Sequence, residues 1–340
     1  MRILNGISPV SLQSTRDLTN EFNELGYLAE SVVYRSNPLL NKLEDKNLNI
    51  DLKKYYLYPV YFIKVLFFFV SSLYKYDVFH FHFGHTLLPF NLDVPILKLF
   101  RKKVFMEYHG SDIRYKLNKI QSDKIVHTED EFLKKKSIRR QKRIYKFLDA
   151  IFLHDNELIN NLYDPLNKLH MLPLRIDLDR LKYDKIQSNN RVTIVHAPSK
   201  RAIKGSEYIE SAINELKKDF DIDYLMINNM NYNQAISIYR KADIIIDQMI
   251  IGTYGMLSVE GMALGKCVVC YIEDGNLFDD SNPICNTSIT GLKDSLARLI
   301  ENEETRNEYS ESGMKYVQKY HNSKKVARLA LEYYKQNKEV

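Results

Sequence analysis

Residues able to do chemistry fall in three short stretches of the chain. The first, residues 242–272, reads ADIIIDQMIIGTYGMLSVEGMALGKCVVCYI. An apolar run ends at Asp247, a loop through Gly252, Thr253 and Tyr254 follows, and a helix is predicted to open near Gly255 and to end at Gly265. A helix start behind a glycine bend offers unpaired amides and the positive end of a dipole, which suits a phosphate. Gly255 allows close approach to the backbone, and Met256 and Leu257 open the first turn. Glu260 lies in the second turn, where a carboxylate reaches past phosphates to ribose hydroxyls; a surface glutamate on an amphipathic helix has the same spacing.

The second stretch, VHAPSKRAIKGSEYI, places Lys200, Arg201 and Lys204 between a strand over 192–196 and a helix over 205–217. Three cations at a strand's carboxyl end match a diphosphate, and also a solvated basic turn. In the third, VFMEYHGSDIR, a strand over 104–108 delivers His109 into a turn at Gly110, followed by Ser111, Asp112 and Arg114. A histidine titrates near neutral pH and can orient a hydroxyl or share its proton. His80, His82 and His85 in VFHFHFGH look like a metal site, but His80 and His82 alternate along one strand and no carboxylate completes a shell. A structural role is the simpler reading. Asp177 and Asp179, spaced like a metal–diphosphate pair, fall in a turn-rich linker, residues 173–184.

These residues need a scaffold of parallel sheets. Apolar runs alternate with helical patterns through most of the chain, the signature of doubly wound sheets. In the first half, strands are predicted over 2–7, 29–34, 78–83, 104–108, 150–153 and 169–172, with helices over 15–25, 59–74, 94–100, 129–147 and 156–162. A second series begins at residue 192 and ends in three helices, over 291–301, 304–320 and 324–337. At about 150 residues per domain, 340 residues suggest two domains. The hydrophobic share of 45% and charged share of 27% exclude a disordered chain. Of the net charge of +6, all the excess lies in the first 174 residues, with 26 Lys and Arg against 19 Asp and Glu. Cys267, Cys270 and Cys285 have no zinc-ligand spacing and read as buried thiols. The N-terminus MRILNGI reads directly as a strand, so no secretory leader is expected and a reducing cytoplasm is. YYLYPVYFIKVLFFFVSSLY, residues 55–74, is interrupted by Pro59, Lys64 and Ser71–Ser72 and is expected to be a mostly buried helix, not a membrane span.

In order and spacing the three stretches resemble the retaining glycosyltransferases of the GT-B fold, family 4, over nearly the whole chain. GTYGMLSVE, residues 252–260, matches that family's E-x7-E stretch, with Glu260 as the second, ribose-holding glutamate. Gly255 and Met256 match its diphosphate-contacting amides, Lys204 its phosphate-binding lysine, and YHGSD the motif whose histidine, here His109, sits beside the reacting sugar. Two positions depart: Gly252 replaces the first glutamate, which contacts the transferred sugar, and Pro198 stands where the family has a second basic residue, leaving Arg201 to reach the phosphates.

The resemblance implies two Rossmann-like domains facing across a cleft, an acceptor domain over 1–174 and a donor domain over 175–325, with a C-terminal helix, 326–340, crossing back. A UDP- or GDP-linked sugar would meet Arg201, Lys204, residues 252–257 and Glu260; the acceptor would meet Ser8, Asp112 and Arg114. Transfer would retain anomeric configuration without metal or cofactor, protein cations stabilising the departing diphosphate. The basic runs KLFRKK, 98–103, and KKKSIRRQKR, 134–143, point to an anionic membrane surface and a glycan or lipid-linked acceptor, at the inner face of the cell membrane. No nucleic-acid module is recognisable. Two rivals share the fold: a non-catalytic partner subunit lacking the first glutamate, and a sugar-nucleotide epimerase.

Overall fold

The computed structural model describes residues 1–10, 12–36, 45–51, 53–121, 124–164, 167–181, 191–273 and 281–336. The first half supplies β1 (Arg2–Val10), α1 (Gln13–Glu24), β2 (Leu28–Arg35), β3 (Lys46–Asn47), α2 (Tyr58–Lys75), β4 (Val78–His82), α3 (Asp93–Leu99) and β5 (Lys103–Glu107). After these come β6 (Lys116–Gln121), β7 (Lys124–Glu129), α4 (Glu131–Tyr145), β8 (Ala150–Leu153) and β9 (Leu169–Met171). Seven of these strands form a parallel sheet in the order β3-β2-β1-β4-β5-β8-β9. Its inner strands β4 (VFHFH) and β8 (AIFL) are short and wholly buried, because helices cover both faces.

The second half supplies β10 (Val192–His196), α5 (Arg201–Lys204), α6 (Ser206–Leu216), β11 (Ile222–Met226), α7 (Tyr232–Lys241), β12 (Ile244–Ile246), α8 (Met256–Ala263), β13 (Cys267–Cys270) and β14 (Cys285–Asn286). They build a second parallel sheet, β11-β10-β12-β13-β14. The chain ends in α9 (Leu292–Glu301), α10 (Glu303–Tyr320) and α11 (Ser323–Lys335). Strand order reverses beside β1 and β10, and ligands of such sheets gather beyond the carboxyl ends of strands at these reversals.

The helix layers are fixed by which side chains they bury. Val65, Phe68 and Phe69 of α2, Val94 and Leu97 of α3 and Ile144 of α4 share one core on one face of the first sheet. Leu18 and Phe22 of α1 share another with Val326, Ala330 and Tyr334 of α11. The last helix therefore crosses back onto the first sheet, started by an Asn322 cap that accepts the Lys324 amide at 2.9 Å. Lys103 Nζ donates to the Tyr334 carbonyl at 2.6 Å, tying down its far end.

Four expectations change. Only Val65, Phe68, Phe69, Ser72 and Leu73 of α2 are buried; the apolar ones among these pack into the core on the first sheet, while Val60, Ile63, Phe67, Val70 and Tyr74 are exposed. β6 and β7, residues 116–121 and 124–129, pair antiparallel, which was not expected. The helix expected over 156–162 shrinks to a 3-10 turn, Ile159–Asn161. The cationic turn after β10 is itself helical, as α5. The final residues of the 173–184 linker lie outside the described residues. All three cysteines are buried and free.

Candidate functional site

β12 ends in three buried isoleucines and passes directly into two buried polar residues, Asp247 and Gln248. Gln248 accepts the amides of Ile250 and Ile251 at 2.8 and 2.6 Å and donates to the carbonyls of Thr253 and Tyr271 at 2.7 and 2.6 Å. One side-chain amide thus sets the path of the 250–253 loop. Within it, Gly252 has φ +83°, a left-handed conformation that disfavours any side chain. That is a backbone reason for glycine where the resembled family has glutamate.

Asp247 anchors the other end of the loop. Its carboxylate takes Lys204 Nζ at 2.6 Å, the Gly255 amide at 2.7 Å and the Ser258 hydroxyl at 2.8 Å. Burial would raise the Asp247 carboxyl, but Lys204 and the two other donors outweigh it and hold it below its ordinary value. Lys204 arrives from α5 at the carboxyl end of β10, its side chain 17% exposed. A cation, a helix-start amide and a hydroxyl therefore converge on one anionic group. The lysine has two further N–H donors, and the next amides of α8 precede any intrahelical acceptor.

Glu260, on α8, is buried at 7% exposure. Burial pushes its carboxyl up to about 7, against the pull of Tyr232 and Arg180 and with a further push from Asp17. Asp17 belongs to α1, and Arg180 grips it at 2.7 and 2.9 Å, so Glu260 lies where the two halves meet. The remaining expected residues divide. Arg201 turns to Glu210 at 2.6 Å on the exposed side of α5, away from Asp247, so Lys204 alone among the expected cations reaches the loop. The Tyr254 hydroxyl lies 3.1 Å from His321 Nε2, in the hinge before α11; its side chain is core, and only its backbone shapes the loop. Thr253, Met256 and Leu257 surround the start of α8 as expected from the sequence.

On the first sheet, His109 follows β5. Its amide donates to Asp112 at 3.1 Å, its Nε2 lies 3.1 Å from His82 Nδ1, and its ring stacks on Phe83 at 4.3 Å. Burial holds the imidazole down at about 3, outweighing the attraction of Glu107. The ring is neutral at neutral pH, able to give or take a hydrogen bond but not to act as a cationic acid. Beneath it, Glu107 receives both guanidinium nitrogens of Arg175 at 2.6 and 2.9 Å, with His80 at 3.2 Å. His80, His82 and Glu107 thus form a cluster of metal-ligand types, with the carboxylate that the sequence did not reveal supplied by the neighbouring strand. Tyr334 holds the outer nitrogen Nδ1 of His80 at 2.5 Å and Asn5 the outer nitrogen Nε2 of His82 at 2.8 Å, which leaves His80 Nε2 and His82 Nδ1 facing Glu107 at 3.2 and 3.5 Å, while Arg175 already supplies that carboxylate with a positive charge. Of the expected acceptor residues, Ser8 is fully buried, whereas Asp112 and Arg114 line a 400 Å³ cavity with Lys136 and Arg140. Arg114 is also paired with Glu157 at 2.7 Å.

The β6–β7 hairpin joins the two sites. Asn118 donates to the carbonyls of Ile250 and Ile251 at 2.9 and 3.2 Å, and His127 meets Glu273 at 2.8 Å. The sequence carries no clear signal for β6 and β7: Leu117 and Ile120 stand three apart in KLNKIQ and Ile125 and Val126 are adjacent in KIVHTE, so neither segment alternates with period 2. Asp247 and Gln248 had a weak signal, two polar residues closing an apolar run.

No family model matches the sequence, and no curated protein matches it. Solved structures match it over nearly its full length. A glycosyltransferase from Rickettsia africae, 14% identical, superposes with a TM-score of 0.69 over 98% of both chains. HepE of Anabaena, solved in complex with UDP-glucose, is 10% identical with a TM-score of 0.60 over 97% of this chain and 98% of its own. The fold is GT-B. A UDP-GlcNAc 2-epimerase from Neisseria meningitidis, bound to UDP-GlcNAc, shares the GT-B fold at 13% identity, TM-score 0.59, over 99% of this chain and 100% of its own. In the GT-B frame, the Asp247–Lys204 seat and His109 lie at strand carboxyl ends of opposite sheets, where ligands of such sheets collect.

Proposed function

We propose that this chain is a retaining, family 4-like glycosyltransferase that moves a hexose from a UDP- or GDP-linked donor to a glycan or lipid-linked acceptor. The observation that carries the reading is the convergence of Lys204 and the Gly255 amide at the start of α8, with Glu260 one turn on. This arrangement supports a diphosphate at the helix start and a ribose beyond it. Lys204 and the first-turn amides stabilise charge as the bond from anomeric carbon to phosphate oxygen breaks. The acceptor hydroxyl oxygen forms the new bond on the same face of the sugar, and its proton passes to the departing diphosphate. His109, neutral and fixed by His82 and Phe83, positions sugar hydroxyls. Asp247 keeps Lys204 and Gly255 aligned. The Asn118 contacts favour a closed cleft from which water is excluded. We place the reaction in cell-surface polysaccharide assembly, at the cytoplasmic face of the membrane.

The test is incubation of the purified protein with UDP-, GDP- and CDP-sugars, with and without a lipid-linked saccharide acceptor. Acceptor-dependent release of one nucleoside diphosphate supports transfer. A changed sugar configuration without acceptor points to the epimerase, and neither binding nor release to a non-catalytic partner.

A further inference from the structure

Resting on that reading, we infer that the exposed side of α2 docks on an anionic lipid bilayer, and that the cavity between α2 and α4 receives the chain of a phosphate-bearing lipid that anchors the acceptor. α2 is apolar on both sides. Opposite its core residues runs a row, Val60, Ile63, Phe67, Val70 and Tyr74, spaced three and four apart and exposed by 46% to 74%. A helix apolar all round needs a cover for its second face. Tyr55 and Tyr56, exposed beside Lys53 and Lys54, extend this row with the aromatic and cationic residues that favour a membrane interface.

The fold brings the basic run of α4 to the same side of the sheet. Lys135, Lys136, Arg139, Lys142 and Arg143 are exposed there. A cavity of 590 Å³ opens between the two helices, walled by Tyr58 and Val65 of α2, Leu87 and Phe90 of the intervening loop, and Arg140 and Arg143. Arg143 lies over the Phe90 ring at 5.8 Å. Arg140 packs on Gly84, where a Cβ would come within 2.8 Å of the guanidinium, and its Nε is buried without a hydrogen-bond partner among the described residues. Arg140 and His85 also wall the 400 Å³ cavity that holds Asp112 and Arg114. An apolar chain entering beside α2 would therefore bring its phosphate to Arg140 and Arg143, next to the acceptor side. A second copy pairing through this face would cover the apolar row but set two groups of cations against each other; an anionic bilayer covers the row and neutralises the cations.

The test is flotation of the full chain with three vesicle types: phosphatidylcholine alone, phosphatidylcholine with phosphatidylglycerol, and phosphatidylcholine with a long-chain prenyl phosphate at equal charge. The expected result is binding to both anionic types at low salt, stronger for the prenyl phosphate. The double variant Ile63→Asp, Phe67→Asp should lower binding at least tenfold, with melting temperature and nucleotide-induced stabilisation unchanged; Arg143→Glu should remove the prenyl phosphate preference. Absence of flotation, equal flotation of the double variant, or a dimer in light scattering without vesicle binding overturns the docking face. Equal binding to the two anionic types overturns the lipid cavity. Loss of nucleotide stabilisation in the unmodified chain would instead contradict the transferase reading, and is read separately.

Discussion

Asp247 and Glu107 are both buried carboxylates at the carboxyl end of a central parallel strand, yet their surroundings differ. Asp247 faces a lysine that keeps 17% of its side chain exposed, together with a main-chain amide and a hydroxyl. Glu107 is closed in by Arg175, with both partners about 1% exposed, and by histidines that burial keeps neutral. Both carboxyls are held below their ordinary value despite burial, one by a mobile point charge, the other by a rigid fork. The difference separates their uses. A lysine with unused donors can accept a new anion, whereas a bidentate arginine is already satisfied and can only hold the neutral His109 from below.

Breaking the sealed pair should have the largest effect. Arg175→Met leaves Glu107 buried without its counter-charge and should lower unfolding free energy by about 3–5 kcal/mol, measured by urea denaturation. Adding Glu107→Leu to that variant should recover much of the loss, since both charges are then gone. Next in size is the pH response of Glu260. Its carboxyl binds a proton more tightly folded than unfolded, so the stability linked to it is full below 4.5 and is lost as pH rises through about 7. The loss amounts to about 3 kcal/mol, and Glu260→Gln should melt higher than the unmodified chain at pH 8 but not at pH 4.5. Gly252→Glu should cost about 1–2 kcal/mol through its left-handed backbone and should not improve donor use. Asn118→Ala removes two contacts between hairpin and loop; a stability loss of about 1 kcal/mol and a several-fold rise in donor KM are expected, with kcat less affected.

The alternation of apolar runs with helical patterns was enough to foresee both sheets, and GTYGMLSVE enough to foresee the start of α8. Glu260 and Lys204 were legible because their distance from a glycine bend is a local property. Asp247 and Gln248 were not, because their importance lies in bonds to residues that approach only when the loop folds. Arg201 and Tyr254 show the converse: right in position along the chain, their side chains turn to Glu210 and His321. For α2, composition gave a helix but could not tell how many of its faces would be covered. The carboxylate beside His80 and His82 comes from β5, a pairing no single strand discloses.

The central claim is that the Lys204–Gly255 seat holds a nucleoside diphosphate, and the most direct test is calorimetric titration of UDP and GDP into the unmodified chain and Lys204→Ala. One nucleotide should bind the unmodified chain, and the variant should bind it about 100-fold more weakly, a difference of about 2.7 kcal/mol. The variant should stay folded, because Asp247 keeps the Gly255 amide and the Ser258 hydroxyl. Equal affinity in the two proteins, or no binding of either nucleotide to the unmodified chain, would contradict the account.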